Sequence, residues 1–247
     1  MNLNLEEAFF SAPRRLASRT KMVEGANKWM TIAEFRPLFC RSLLYCVDVV
    51  SHTPELRSFE PLDQMRLVVQ RGIQTGALIG LQRTMRNTTK KCILIADGYY
   101  VPLEAEEVAR YEPERAMSDY VEFAQEFYDN VFEAFKAARL SDEEFLFLRM
   151  LVFFAPVAGL SASGRELLRE THDYCLSLFI RFLLSKHDRQ TALKRMADLL
   201  GLLPLIEQAA GMSINYTSRA ILFNYAEFQG NLMLELHSAL TSRLSIA

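Results

Sequence analysis

Apolar positions recur three and four residues apart along most of the chain, and this spacing predicts that helices make up most of it. A helix that buries one face carries apolar residues at that spacing and polar residues on its outer face. We predict helices over the following stretches: 31–53, 62–85, 118–135, 143–154, a stretch that begins at Ser163, 189–229 with a bend near Pro204 and Gly211, and a short last stretch after Gly230.

Side chains that can cap a helix mark several of these starts. Ser141 and Glu144 have the spacing of a capping box, in which each side chain accepts a hydrogen bond from a free backbone N–H. Asp63 follows Pro61 and can cap the second helix, because its carboxylate accepts such bonds. Ser118 and Ser163 are placed to begin the third and fifth helices in the same way.

One stretch carries the signal of a β-hairpin. The pair Asp97-Gly98 separates the apolar runs Cys92–Ile95 and Tyr99–Val101, and both turn positions tolerate the positive φ of a tight turn. The residues therefore predict an all-α fold with one small β-hairpin.

Composition describes one ordinary folded domain. The 247 residues include few glycines and prolines and no Ser/Gly-rich linker, so we expect a single domain over 1–247. The net charge of −2 argues against nucleic-acid binding by this segment, which would need a basic face. The N-terminus has no signal-peptide pattern, and charged or amide residues interrupt the apolar stretches, so no membrane span is expected.

Catalytic and metal-binding motifs are missing from the sequence. None of the four cysteines forms a Cys-x-x-Cys pair, and four scattered thiols suit a reducing compartment. The four histidines have no metal-ligand spacing, and no phosphate loop or nucleophile motif occurs. We therefore expect neither an enzyme nor a metal or cofactor site.

Six motifs, taken in order, resemble those of nuclear receptor ligand-binding domains: Leu56–Val68, Gln82–Met85, Tyr99–Pro102, Leu140–Pro156, Arg195–Pro204 and Asn231–Leu236. The chain is most similar to hepatocyte nuclear factor 4 and related nematode supplementary nuclear receptors. The resemblance implies a three-layer antiparallel helical sandwich, with a weakly matched segment over 1–30, a core over 31–237 and an activation helix over 231–237. The eight-cysteine pattern of the family's DNA-binding domain does not occur, so DNA contact is expected only through a domain outside this chain.

The resemblance implies a ligand pocket around the second helix. In the family an arginine at the position of Arg83 anchors the ligand's polar head, which in the closest relatives is a fatty-acid carboxylate. The predicted ligand-binding residues are Arg83, Phe35, Phe39, Gly76, Gly80 and Ile79. Two alternatives stay open. The arginine can bind a backbone carbonyl or a Glu, and the phenylalanines can fill the space that the glycines leave.

The resemblance also implies a groove for a coregulator helix, in which Glu235 of the activation helix would bind the N–H groups at that helix's N-terminus. The predicted groove residues are Val47, Ser51, Gln64, Met65, Val68, Leu232 and Glu235. Ser51 stands where the family usually has a lysine, and His237 where it has an apolar residue. Both departures are expected to weaken coregulator binding. Simple packing of the last helix is the alternative.

Dimerisation is a further expectation from the resemblance, either with a second copy or with another nuclear receptor. The predicted interface lies on the long helix after Arg195, and its residues are Leu199, Leu200, Leu202 and Leu203. Burial in the core would explain these leucines equally well.

We favour the ligand-binding domain of a nuclear hormone receptor that senses a fatty-acid-like apolar acid and recruits coactivators or corepressors of the Mediator type. A nuclear location follows, which the protein can share with the cytoplasm, and the only expected small molecule is the bound fatty acid. The first alternative is a ligand-independent interaction module of the same fold with a filled pocket. The second is a helical enzyme or lipid carrier outside transcription.

Overall fold

The computed structural model describes residues 3–19, 23, 25–111 and 115–244. Its α-helices are α1 Ile32–His52, α2 Pro61–Asn87, α3 Ala105–Val108, α4 Arg115–Phe127, α5 Glu133–Ala138, α6 Asp142–Phe153, α7 Ala162–Lys186, α8 Arg189–Leu200, α9 Leu203–Leu222 and α10 Asn231–Leu244. Its strands are β1 Lys28–Trp29, β2 Cys92–Leu94 and β3 Tyr99–Pro102.

Helix α2 lies at the centre of the molecule. It packs against α1, α6, α9 and α10, and α6 in turn packs against α7. Three of its leucines, Leu67, Leu78 and Leu81, are completely buried, as expected of a helix covered on several sides. This layered packing confirms the predicted all-α fold.

The predicted hairpin is confirmed. Residues Asp97 and Gly98 have φ values of +50° and +75°, as a turn between twisted antiparallel strands requires. The structure adds a strand that was not predicted, because the two residues of β1 pair with β3 in parallel. Two residues are too few to carry a strand pattern in the sequence.

The predicted start of the third helix is wrong. Helix α4 begins at Arg115, so Ser118 lies inside its first turn and does not cap it. A π-helical turn, Tyr128–Phe132, then joins α4 to α5 and makes one continuous helical stretch. Apolar side chains of this stretch face the core, because Phe127, Val131 and Phe135 are buried.

Two further helix boundaries differ from the prediction. The side chain that caps α7 is Ser161, which accepts a hydrogen bond from the Gly164 N–H, and Ser163 lies within the first turn. The predicted long helix over 189–229 is two helices, α8 and α9, separated at residues 201–202. Pro204 lies in the first turn of α9, where its missing N–H costs no hydrogen bond, and α9 continues through Gly211.

Helices α8 and α9 together form a stretch, Arg189–Leu222, that is long and apolar enough to cross a membrane by length and composition alone. In the structure α8 packs against α7, and α9 packs against α2, α4 and α10. Helices that pack inside the core of a protein can be as long and as apolar as helices that span a membrane.

Asp63 has a different role from the one predicted. Residue Glu60 precedes α2 and makes no side-chain cap. The carboxylate of Asp63 is buried and instead accepts hydrogen bonds from the backbone N–H (3.1 Å) and the hydroxyl (2.6 Å) of Ser161, before α7. Asp63 therefore joins the start of α2 to the start of α7.

Candidate functional site

One face of α2 carries three glycines four residues apart, and their surroundings differ. A Cβ atom on Gly72 would lie 3.6 Å from the sulfur of Cys46 on α1, and one on Gly80 would lie 3.9 Å from the carbonyl of Leu94 in β2. A Cβ atom on Gly76, between them, would meet nothing within 4 Å. The face therefore touches α1 at one end and the hairpin at the other, and Gly76 between them is exposed, so the space beside it opens to solvent.

The effect of an alanine substitution on stability tests whether there is room for a side chain at Gly76. Glycine costs a helix roughly 1 kcal/mol relative to alanine, and Gly76 has room for the extra methyl group. We expect Gly76→Ala to raise the free energy of unfolding by about 0.5–1 kcal/mol. Gly211→Ala is the matched control, because Gly211 also lies inside a helix with open space around it. Urea unfolding of both variants tests this, and a loss of stability in Gly76→Ala alone would contradict open space there.

Arg83 lies on the same face as Gly76, about 10 Å further along the helix at 1.5 Å per residue. Its side chain is partly buried, and its Nη2 donates a hydrogen bond of 3.4 Å to the backbone carbonyl of Val23. A bond to a backbone carbonyl is the alternative that the sequence left open. The guanidinium of Arg83 thus lies at one end of the glycine face and is hydrogen-bonded to the carbonyl of Val23.

The predicted phenylalanines belong to an aromatic cluster. The ring of Phe35 lies 5.4 Å from the rings of Tyr120 and Tyr216 and 5.2 Å from that of Phe228, and Phe39 lies 5.0 Å from Phe228. Burial raises the pKa of both tyrosine hydroxyls, so the cluster is uncharged at neutral pH. These rings fill volume between α1, α4 and α9. The predicted neighbour of the glycines, Ile79, is half-buried on α2.

The last helix is docked on the body of the protein. Leu232, Met233 and Leu236 of α10 are buried, and α10 packs against α2 and α9, whereas Glu235 is exposed. The helix continues to Leu244, beyond the predicted end at 237. His237 does not end the docked face, because its Nε2 lies 2.7 Å from the hydroxyl of Ser218.

The residues of the predicted coregulator groove differ in burial. Val47 and Val68 are buried, so core packing explains them, whereas Met65 is half-buried against the same apolar core and its contact with a partner stays a prediction. Gln64, in contrast, donates from its Nε2 to the carbonyl of Phe59 at 2.8 Å. It therefore holds the turn before α2, and its contact with a partner stays a prediction. The side chain of Ser51 lies outside the described residues.

Glu235 has a neighbour that the sequence did not predict. Its Oε2 accepts a hydrogen bond of 2.8 Å from the backbone N–H of Leu5, in the N-terminal segment. The pattern Asn4-Leu5-Glu6-Glu7 could have indicated a helix start there, because Asn and Glu three residues apart can cap one. Its position against α10 could not be inferred, since it depends on a contact across the whole chain.

The predicted dimer surface needs a correction. Leu199 and Leu202 are buried within the chain, so core packing explains them and they are not available to a second subunit. Leu200 and Leu203 are half-buried and also pack against the core. For those two residues dimer contact stays a prediction.

Buried polar residues of α2 hold the elements around this site, and sequence analysis missed them. Arg71 donates from Nη1 to Glu207 of α9 at 2.8 Å and from Nη2 to the carbonyl of Pro156. The amide of Gln70 both donates to and accepts from the backbone of Ala158, at 2.9 and 3.0 Å. These bonds fix the loop between α6 and α7 and the start of α9 to the central helix. In the sequence such residues look like the solvent face of a helix.

Two comparisons with known proteins agree with this architecture. The family model for the ligand-binding domain of nuclear hormone receptor matches residues 25–223. The chain is also similar to nuclear hormone receptor family member nhr-61 of Caenorhabditis elegans, with 23% identity over 173 residues. That match covers 68% of this chain and 41% of the relative, so the chain spans about two fifths of that protein's length.

Proposed function

The chain belongs to the nuclear hormone receptor ligand-binding domains, and from this we propose that it binds an apolar acid and recruits a coregulator helix to regulate transcription. The observation that carries the proposal is the docked α10, with apolar side chains buried and the carboxylate of Glu235 exposed at its edge. A carboxylate in that position can bind the free N–H groups in the first turn of a partner helix.

The open face of α2 supports the ligand part of the proposal. Gly76 is exposed and leaves room for a ligand between Cys46 and the hairpin, and Arg83 lies two turns away on the same face. A cation beside an uncharged helix face suits a molecule with a carboxylate head and an apolar body. Such a ligand would act through its difference in affinity for the two positions of α10, docked and undocked.

A ligand-independent interaction module is the second candidate. The aromatic cluster around Phe35 and the hydrogen bond from Arg83 to Val23 favour it, because both reduce what is left for a ligand. In that case partner binding would depend on surfaces alone. On family membership we also propose dimerisation, as a homodimer or with another nuclear receptor, and a nuclear location.

The two candidates differ in what the purified protein carries. We expect native mass spectrometry, followed by denaturing lipid extraction, to find an acyl acid bound to the wild-type chain and lost in Arg83→Ala. Gly76→Leu should lose it too, because the new side chain would cover the exposed face beside Arg83 on which the proposed acid lies. Arg86→Ala is the matched control, since Arg86 is an exposed arginine of the same helix that pairs with Asp142 at the surface.

The outcomes of this mass-spectrometry experiment distinguish the two candidates. An acid retained equally by the wild type, Arg83→Ala and Arg86→Ala removes Arg83 as the anchor. A protein of dimer mass that carries no acid supports the ligand-independent module.

A further inference from the structure

The N-terminal segment, residues 3–19, lies outside the stretch that the family model matches, which begins at residue 25. It opens with a short helix, and at the start of this helix two residues each accept a hydrogen bond from the backbone N–H of the other. The N–H of Glu7 donates to Asn4 Oδ1 at 2.7 Å, and the N–H of Asn4 donates to Glu7 Oε2 at 3.1 Å. This reciprocal pair gives the segment a defined helical start.

The helix of this segment has one apolar face that points inward. Ala8 and Phe9 are buried, and Leu5 is half-buried against the core. Glu6 and Phe10 lie on the other side and are exposed. Apolar residues at i, i+3 and i+4 are the pattern of a helix laid into an apolar groove.

Both ends of the segment are tied to the elements that border the predicted coregulator groove. At the start, the Leu5 N–H donates to Glu235 of α10 at 2.8 Å. At the end, Arg19 makes hydrogen bonds of 2.7 to 3.1 Å with Asp48 near the C-terminal end of α1. Residues 11–15 share a surface cleft with Asp48. The segment therefore runs from α10 to the end of α1.

Leu5 occupies the bonding position that a partner helix would need on Glu235. The first N–H groups of a helix have no partner within it, and the carboxylate of Glu235 is the acceptor for one of them. Ala8 and Phe9, between the two ends, are buried in the same apolar core as Val47 and Val68 of the predicted groove. A partner helix and this segment cannot occupy the same acceptor and the same apolar surface together.

We propose that residues 3–19 are an intramolecular occupant of the coregulator surface, and that a partner binds by displacing them. The partner is an amphipathic helix with apolar residues at i, i+3 and i+4 and its N-terminus at Glu235. This inference rests on the proposed function, since it concerns the regulation of the same surface. If the segment is seated nine tenths of the time, it lowers the apparent affinity for the partner about tenfold.

Substitutions in the full chain separate the segment from the surface beneath it. Ala8→Asp places a carboxylate on the buried side and should release the segment, while Phe10→Asp places the same group on the exposed side and is the matched control. Arg19→Glu releases the other end by opposing Asp48, and as a surface change it does not burden folding. The probe is a fluorescent synthetic peptide with leucines at i, i+3 and i+4.

We expect anisotropy titrations to give about tenfold tighter peptide binding for Ala8→Asp and for Arg19→Glu than for the wild type and Phe10→Asp. Peptide addition should also speed amide hydrogen exchange of residues 5–12 in the wild type. Equal affinity for all four proteins, with unchanged exchange in the segment, would overturn the inference and leave coregulator binding intact. No peptide binding by any of them would overturn the proposed coregulator function, and the inference with it.

Discussion

Replacing Glu144 with glutamine is expected to lower the free energy of unfolding by about 3 kcal/mol at pH 7. The carboxylate is buried and accepts two bonds of 2.7 Å from Arg195, one from Nε and one from Nη2. It also accepts the Ser141 N–H at 2.8 Å, as the capping box requires. Glutamine keeps the shape and an acceptor for Ser141, so the variant removes the charge opposite Arg195 and turns the oxygen that accepts from Arg195 Nε into an NH2 donor.

The loss should depend on pH in a definite direction. Burial alone would raise the pKa of the Glu144 carboxyl, but hydrogen bonds from Arg195 and the Ser141 backbone outweigh it and hold this pKa below its ordinary value. A carboxyl with a lowered pKa in the folded state stabilises fully above its unfolded pKa of about 4.3. That stabilisation is lost as the pH falls through the folded pKa.

Urea unfolding of wild type and Glu144→Gln at several pH values measures this. The difference between them should be largest above about pH 5 and should shrink below about pH 4. Asp198→Asn is the matched control, because Asp198 pairs at 3.0 Å with Lys194 on the same helix as Arg195, but at the surface. It should change stability by about 0.5 kcal/mol or less. Equal losses in the two variants would contradict a special role for the buried pair.

Glu144 also illustrates what the sequence could predict. Its capping role was predictable because the signal is local, with Ser141 three residues away. The Asp97-Gly98 turn was predictable for the same reason, since both positions adopt the positive φ that these residue types tolerate. Arg195 is 51 residues from Glu144, and nothing in either neighbourhood marks the pair.

Helix starts were wrong where two local signals compete. Ser161 and Ser163 are both suitable caps for α7, and the sequence offers no means of choosing. The structure chooses Ser161 because its hydroxyl also donates to the buried carboxylate of Asp63. Tertiary contact thus decides between two positions that are equivalent locally.

The candidate site was predictable only through resemblance. Periodicity placed Arg83 and the glycines on one helix, but the space around Gly76 depends on where α1 and the hairpin come to lie. Glu235 could be placed on a last helix, yet its bond with Leu5 joins residues 230 positions apart. Contacts of that kind depend on the packing of the whole chain, which no local pattern encodes.

Gly164→Ala is expected to lower the free energy of unfolding by about 3 kcal/mol, opposite in sign to Gly76→Ala. Gly164 lies buried in the first turn of α7, and an added Cβ would overlap the carboxylate Oδ2 of Asp63. It would also lie 2.9 Å from the Cγ of Asp63 and 3.0 Å from the hydroxyl of Ser161. Asp63 cannot move away without losing its bonds to Ser161.

A double-mutant cycle separates this clash from any general cost of alanine at that position. In the Asp63→Ala background the carboxylate is gone, so adding Gly164→Ala should cost little. The two substitutions should therefore be non-additive by about 2 kcal/mol, as expected for residues in direct contact. Urea unfolding of the four proteins measures the coupling. Additive losses, or a gain of stability in Gly164→Ala like that of Gly76→Ala, would contradict the close approach of α7 to the start of α2. Because that approach joins the central helix to an outer one, its loss should weaken the packing of both layers.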